Sequence, residues 1–268
     1  MEYDPTKKYL GAFFNKSPFL RKTFYNLLDL LLLRTWHIHK QLRIWEKTAP
    51  ANAKILDAGM GFGQYSYWMA DKHPNWSILG VDVKEEQIAD CNKFFTQIGL
   101  TNAKFEYADL TAFTHPNTYD FALSVDVMEH ILEDVQVFKN IYASLHKGGM
   151  LLISTPSDQG GSDVEEGSGE SFIGEHVRNG YNINEIQDKL KTAGFSKIEA
   201  GYSYGKPGHI SWVLSMKYPM KMLSFSKVLL IILPFYYLIT FPFALILNAM
   251  DRDGTHTTGT GLIVKAWK

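Results

Sequence analysis

The sequence predicts an α/β fold with a doubly wound, mainly parallel sheet, and three observations carry that prediction. Short apolar runs alternate with helix-period segments through residues 51–204, the pattern of repeated strand–helix–strand units. Within it, Ile55-Leu-Asp-Ala-Gly-Met-Gly-Phe-Gly-Gln64 reads as a strand, a glycine turn and a helix start. That geometry sets backbone N–H groups and a helix N-terminus against a ligand. The third observation is Trp76-Ser-Ile-Leu-Gly-Val-Asp82, an apolar run ending in an acid about twenty residues later, where a carboxylate accepts from ribose hydroxyls in such a sheet.

Taken in order, residues 1–50 form an N-terminal lid. Residues 1–16 look irregular, and 19–47 read as one or two leucine-rich helices expected to pack on the sheet or cover a cofactor. His37 and His39 alternate with Trp36 and Ile38, which is not the spacing of a helical metal pair, so both are read as structural. Residues 51–204 form the Rossmann-like core. Strands are expected at 54–58, 76–82, 103–108, 119–125 and 149–154, with helices at 63–72, 84–98, 131–146 and 182–193. Gly99 suits a helix end, and Gly148-Gly149 suits the turn before the fifth strand. Residues 157–180, rich in Gly, Ser and acids, read as a loop. A sixth strand follows at 195–204. Residues 205–258 are a hydrophobic, helical insertion, and 259–267 form the last strand. The whole is expected to be a single domain.

The motif Asp57, Gly59, Gly61, Gly63 followed by Asp82 resembles the class I S-adenosylmethionine (SAM)-dependent methyltransferases, whose first motif is an acid followed by G-x-G-x-G. The resemblance covers residues 50–204 and extends to a segment typical of quinone-biosynthesis methyltransferases, Val125-Asp126-Val-Met-Glu129-His130-Ile131. It implies SAM as the cofactor and a last strand lying antiparallel beside the sixth. It also implies cofactor contacts at Asp57, Gly59, Gly61, Gly63, Asp82, Val83, Asp109, Leu110, Ser124 and Asp126. Asp82 would take the ribose, Asp109-Leu110 the adenine, and Ser124 and Asp126 the methionine part. Asp109 also suits a plain helix N-cap.

Candidate catalytic residues are Glu129, His130 and His176. Asp126-x-x-Glu129-His130 is close to an E-x-x-E-H metal motif of some relatives, and two carboxylates with an imidazole can hold a divalent ion. The first position is Asp here and many relatives carry the E-H pair without metal, so no metal is assigned. In the alternative, Glu129 caps the next helix and His130 lines the pocket. His176 lies in Glu175-His-Val-Arg178. Its imidazole titrates near neutrality and could accept a proton, while Arg178 could hold an anionic head group. The same segment could instead merely anchor the loop.

Composition sets the limits. The chain has 268 residues, 46% hydrophobic, with a net charge of −1, so no basic field points to nucleic acid. The single Cys91 cannot form an internal disulfide and suits a reducing compartment. The acidic start, Met1-Glu-Tyr-Asp4, is not that of a secretory signal. Residues 228–250 carry no charge and are long enough to span a bilayer. Strands of one sheet flank them, however, which forbids a single crossing. Pro234 and Pro242 favour a broken hairpin, lysines flank it, and Tyr236 and Tyr237 suit an interface. A cap buried over the substrate pocket is the other arrangement.

The expectation is therefore SAM-dependent methyl transfer to a lipophilic small molecule of quinone, polyene or lipid type. The enzyme would be cytoplasmic and peripheral on the inner face of the membrane, with residues 218–250 on the lipid. The alternatives are SAM-dependent cyclopropanation or methylation of lipid chains, and a non-catalytic SAM-binding membrane adaptor.

Overall fold

The computed structural model describes residues 17–160, 177–226, 229 and 231–268. Seven strands form one sheet in the order β3-β2-β1-β4-β5-β7-β6. They are β1 (Lys54–Ala58), β2 (Ser77–Asp82), β3 (Ala103–Tyr107), β4 (Tyr119–Val125), β5 (Leu145–Pro156), β6 (Lys197–Ser203) and β7 (Gly261–Trp267). β1 to β5 pair in parallel. β7 runs antiparallel between β5 and β6, so it lies beside the sixth strand as expected and also separates it from the fifth.

The helices are α1 (Pro18–Leu31), α2 (Leu33–Trp45), α3 (Gln64–Lys72), α4 (Glu85–Gln97), α5 (Asp134–Ser144) and α6 (Ile183–Ala193). Alternate strand residues feed two cores, as the pleat requires. Ile55, Phe121, Leu123 and Leu152 pack with residues of α1 to α4 such as Tyr25, Leu42, Met69 and Phe94. Leu56, Ala122, Leu151 and Ile153 pack with Phe138, Ile141, Ile186 and Leu190 of α5 and α6. Both faces are covered, which is why the parallel strands read as continuous apolar runs.

Three local expectations change. The helix expected at 131–146 is a 3₁₀ turn, Met128–His130, followed by α5. Leu145 is already extended and pairs with Tyr119, so β5 starts four residues early. The lid is two helices broken at Leu32, which adopts extended geometry. On α1 the leucines are not the buried face: Arg21 and Tyr25 are buried while Leu27, Leu30 and Leu31 are exposed, whereas Leu33 and Leu42 of α2 are buried.

Between β6 and β7 the chain forms a helical hairpin. One arm runs through α7 (Lys206–Trp212), a π-helical segment (Val213–Lys217) and α8 (Tyr218–Phe225). The other is α9 (Leu233–Asp253), with Pro234 in its first turn and Pro242 inside it. Ser211 Oγ donates to the Ala244 carbonyl at 3.1 Å. The Tyr236 and Tyr237 hydroxyls donate to the Leu214 and Ser215 carbonyls at 2.7 and 2.8 Å. Both tyrosine hydroxyls therefore staple the arms together.

The base of the hairpin is fastened by Asp251, whose side chain is fully buried. It accepts from His37 Nε2 at 2.8 Å, the Tyr204 amide at 3.0 Å and the Gly208 amide at 2.9 Å. Burial alone would raise its carboxyl, but the His37 bond, the Gly208 amide and the two neighbouring histidines outweigh it and hold it below the usual value. A carboxylate depressed in the folded state adds stability above its unfolded pKa of about 3.9 and loses it as pH falls through the folded value. Asp251→Ala leaves three donors without their acceptor. It should lower unfolding free energy by roughly 3 kcal/mol at neutral pH, measured by urea denaturation. The gap to wild type should narrow as pH is taken below about 4.

Candidate active site

The carboxyl ends of β1, β2 and β4 lie side by side, because Ala58 is in register with Val81 and Asp57 with Leu123. The glycine turn is built on that edge. Gly59 and Met60 both donate their amides to the Val81 carbonyl, at 2.8 and 3.1 Å. Gly59, Gly61 and Gly63 all have positive φ, which glycine adopts without steric cost. A Cβ on Gly59 would lie 2.3 Å from Val127 Cγ2, whereas one on Gly61 meets nothing closer than Gln87 Oε1 at 4.0 Å. The turn is thus closed against the segment after β4 and open at Gly61.

Asp57 is buried and accepts from Ser66 Oγ at 2.7 Å. Burial pushes its carboxyl up to about 6, against the lowering effect of that bond. Asp82 is aimed by its backbone partners: the Gly61 and Lys84 amides each donate to one of its oxygens at 3.0 Å. Val83 beside it is exposed. Asp109 accepts from the amide and hydroxyl of Thr111 at 2.9 and 2.7 Å. These bonds hold its carboxyl low and close a turn; no helix starts here, so Asp109 is not a helix N-cap. Leu110 is buried beneath it. Ser124 Oγ is buried without a hydrogen-bond partner, the kind of orphan a bound polar ligand satisfies. Asp82, the open face at Gly61 and Ser124 together fit SAM.

The lid grips this turn. Tyr25 and Arg21 both donate to the Phe62 carbonyl, at 2.5 and 2.9 Å. Arg21 also reaches Cys91 Sγ at 3.2 Å. Burial pushes the Cys91 thiol up to about 12, so it is an inert packing group.

Next to the turn, a cavity of about 160 Å³ is lined by Arg34, Asp126, Ser154, Thr155, Tyr204 and Thr260, among others. Arg34, from the first turn of α2, pairs with Asp126, and its amide donates to the Tyr204 hydroxyl at 2.8 Å. Asp126 and Tyr204 are two of the three non-glycine residues with positive φ among those described. Such backbone costs about 1–3 kcal/mol and clusters at functional sites.

Glu129 does not cap a helix. It is buried, it accepts from the cavity-lining Thr155 Oγ1 at 3.0 Å, and burial raises its carboxyl. His130 is half-buried at the end of the 3₁₀ turn. His176 lies outside the described residues. Val177 donates its amide to the Glu129 carbonyl at 3.0 Å. Arg178 is not available for an anionic ligand: it pairs with Asp134, lies over the Tyr181 ring and donates to the Ile131 carbonyl. Asp126 and Glu129 face different partners, and no group of three or more possible metal ligands occurs among the described residues. The sequence reading missed Arg34, Ser154, Thr155, Tyr204 and Thr260, which no local motif marks.

A family model described as a methyltransferase domain matches residues 50–199, more than half of the chain. The protein belongs to the class I SAM-dependent methyltransferases. It is 31% identical over 152 residues to phosphoethanolamine N-methyltransferase 1 of Zea mays, covering 55% of this chain and 29% of that one. The corresponding Arabidopsis thaliana protein is 30% identical over 160 residues, with 55% and 29% covered. The chain thus spans less than a third of these relatives. Phosphoethanolamine N-methyltransferase 2 of Haemonchus contortus, solved with SAM, shares the fold with a TM-score of 0.60, 19% identity and 91% and 60% of the two chains covered. SAM is the cofactor of this methyltransferase, and the glycine turn and Asp82 are the candidate groups to hold it.

Asp82→Ala removes the candidate ribose-binding carboxylate. It should weaken SAM binding by about 1–3 kcal/mol, roughly ten- to a hundredfold, in calorimetry. Gly61→Val fills the open face and should weaken it further. Thermal melts of both variants separate lost binding from lost folding.

Proposed function

We propose that this methyltransferase transfers its methyl group to the polar head of a small amphiphile, with the head seated in the Arg34–Asp126–Tyr204 cavity. The observation that carries this reading is the cavity itself: Asp126 lines it, the next residue, Val127, closes on Gly59, and two strained residues shape its wall. Its volume suits a head group rather than a whole lipid, so an acyl, prenyl or polyene tail would lie outside it. The Zea mays relative acts, by name, on phosphoethanolamine, which makes an amine-bearing head the first acceptor to test. Arg34 and Asp126 offer the opposite charges such a head carries.

SAM supplies an electrophilic methyl on a positively charged sulfonium. The chain has to exclude water, align the nucleophile and receive its proton. Arg34 and Tyr204 orient the head. Thr155 stands between the cavity and Glu129, and the raised Glu129 carboxyl is the base we assign, reached through the Thr155 hydroxyl. His130 and His176 are the further candidates for that role. No metal is assigned: Asp126 is held by Arg34 and Glu129 by Thr155. The single buried Cys91 suits a reducing compartment, and we place the enzyme in the cytoplasm, peripheral on the inner face of the membrane.

Labelled methyl transfer from SAM into a whole-cell lipid extract, with phosphoethanolamine as the soluble comparison, tests the acceptor. A labelled amphiphile is expected. Label in phosphoethanolamine alone would overturn the lipid-like acceptor, and a mass gain from ring closure on an unsaturated chain would identify cyclopropanation. Glu129→Gln should lower kcat by about a hundredfold or more with SAM affinity unchanged. Wild-type rate should rise with pH as the Glu129 carboxyl ionises, a limb the variant lacks. EDTA should leave the rate as it is.

A further inference from the structure

We propose that the hairpin between β6 and β7 docks the protein onto an anionic bilayer, with α9 lying in the plane of the interface. This goes beyond the transfer reaction and does not depend on the acceptor being a lipid.

The two sides of α9 differ. Ala244, Asn248 and Asp251, spaced by four and three residues, are buried against the body. The opposite side carries Phe235, Leu238, Ile239, Phe243, Ile246 and Met250, a stripe at helical spacing along most of the 21-residue helix, roughly 23 Å at 1.5 Å per residue. Its exposure hardly declines from tip to base: 67% at Phe235, 76% at Leu238 and 56% at Met250. A soluble surface rarely shows so continuous an apolar face without a partner.

Topology and charge identify the partner. β6 enters the hairpin and β7 leaves it, and Ser203 and Gly261 are paired in the same sheet. Both feet therefore stand on one side of any bilayer, and α9 cannot cross alone. Tip-first insertion would carry Lys217 and Lys221 of the other arm toward hydrocarbon, which is costly, and would leave the exposed base of the stripe in water. In-plane docking buries the whole stripe and keeps Lys217 and Lys221 at head-group level. From residue 206 to residue 250 the sequence has four lysines, at 206, 217, 221 and 227, and no acid, although the chain as a whole is net negative. That asymmetry fits anionic head groups. It opposes a second copy of the chain, because a symmetric pair would bring like-charged hairpins together with no carboxylate between them. The hydroxyls of Tyr236 and Tyr237 satisfy carbonyls of the π-helical arm, as a backbone next to lipid requires.

The test uses the full chain and phosphatidylcholine vesicles with and without phosphatidylglycerol. Flotation is expected with phosphatidylglycerol, with a part that resists salt. The double variant Leu238→Ser/Phe243→Ser should lose at least about tenfold in vesicle affinity while calorimetric SAM binding is unchanged. An environment-sensitive fluorophore on Leu238→Cys or Ile246→Cys reads depth, since native Cys91 is buried. Equal shallow burial of both labels supports in-plane docking. Deep burial at 238 with none at 246 would mean tip-first insertion and overturn it. So would a wild-type protein that stays soluble and never floats, or dimerisation that covers both labels without vesicles.

Discussion

Every feature of the site depends on the parallel register of β1 against β2. Leu56 opposite Leu79 and Ala58 opposite Val81 end the two strands at one level. Only then can one carbonyl, that of Val81, receive both the Gly59 and Met60 amides, and only then does Asp82 meet the Gly61 amide. A slip of one residue would exchange the two faces of the strand, moving Leu56 into the other core and turning Asp57 away from Ser66. The pairing of β1 with β4 extends the same level to Leu123, which places Ser124, Asp126 and Val127 just beyond it. The register is strongly determined because both faces of the sheet are buried.

The lid uses that edge twice. Arg21 and Tyr25, one helical turn apart on α1, close on the Phe62 carbonyl above the cofactor turn. Arg34, at the start of α2, closes on Asp126 beside the cavity. The break at Leu32 lets the two helices address the two halves of the site separately. Movement of α2 would therefore alter the Arg34–Asp126 cavity while α1 still held the glycine turn, a division of labour that one continuous helix would not allow.

The legible parts of the chain were those with short-range signals. A strand, a glycine turn and an acid at a fixed distance mark one sheet edge almost unaided, so Asp57, the glycines and Asp82 were readable as candidates, and the parallel sheet with an antiparallel last strand followed from alternation and family resemblance. The cavity was not readable, because its residues come from α2, β4, β5, the end of β6 and the start of β7, far apart in sequence. The leucines of α1 misled for another reason. Composition suggested a core-packing face, but burial follows position on the helix, and the inward positions hold Arg21 and Tyr25. Arg178 shows the same limit: its neighbours suggested an anion site, while Asp134 had already claimed its charge.

The place of the hairpin in the topology follows from the last two strands. β7 is antiparallel to both neighbours, so Pro156, Gly261 and Ser203 stand in one row at the carboxyl edge of the sheet. A chain leaving β6 there emerges on the ligand side, and Tyr204 is the first residue past the strand. Asp251, near the end of α9, then binds the Tyr204 amide, His37 of α2 and the Gly208 amide at once. One buried carboxylate thus joins the cavity wall, the lid helix that carries Arg34 and the helix with the outward apolar face. In an ordinary surface helix, substitution of exposed residues leaves a distant pocket alone. Here the helix is fastened to the wall of the pocket, so whatever fixes the orientation of α9 also fixes the direction in which the cavity faces.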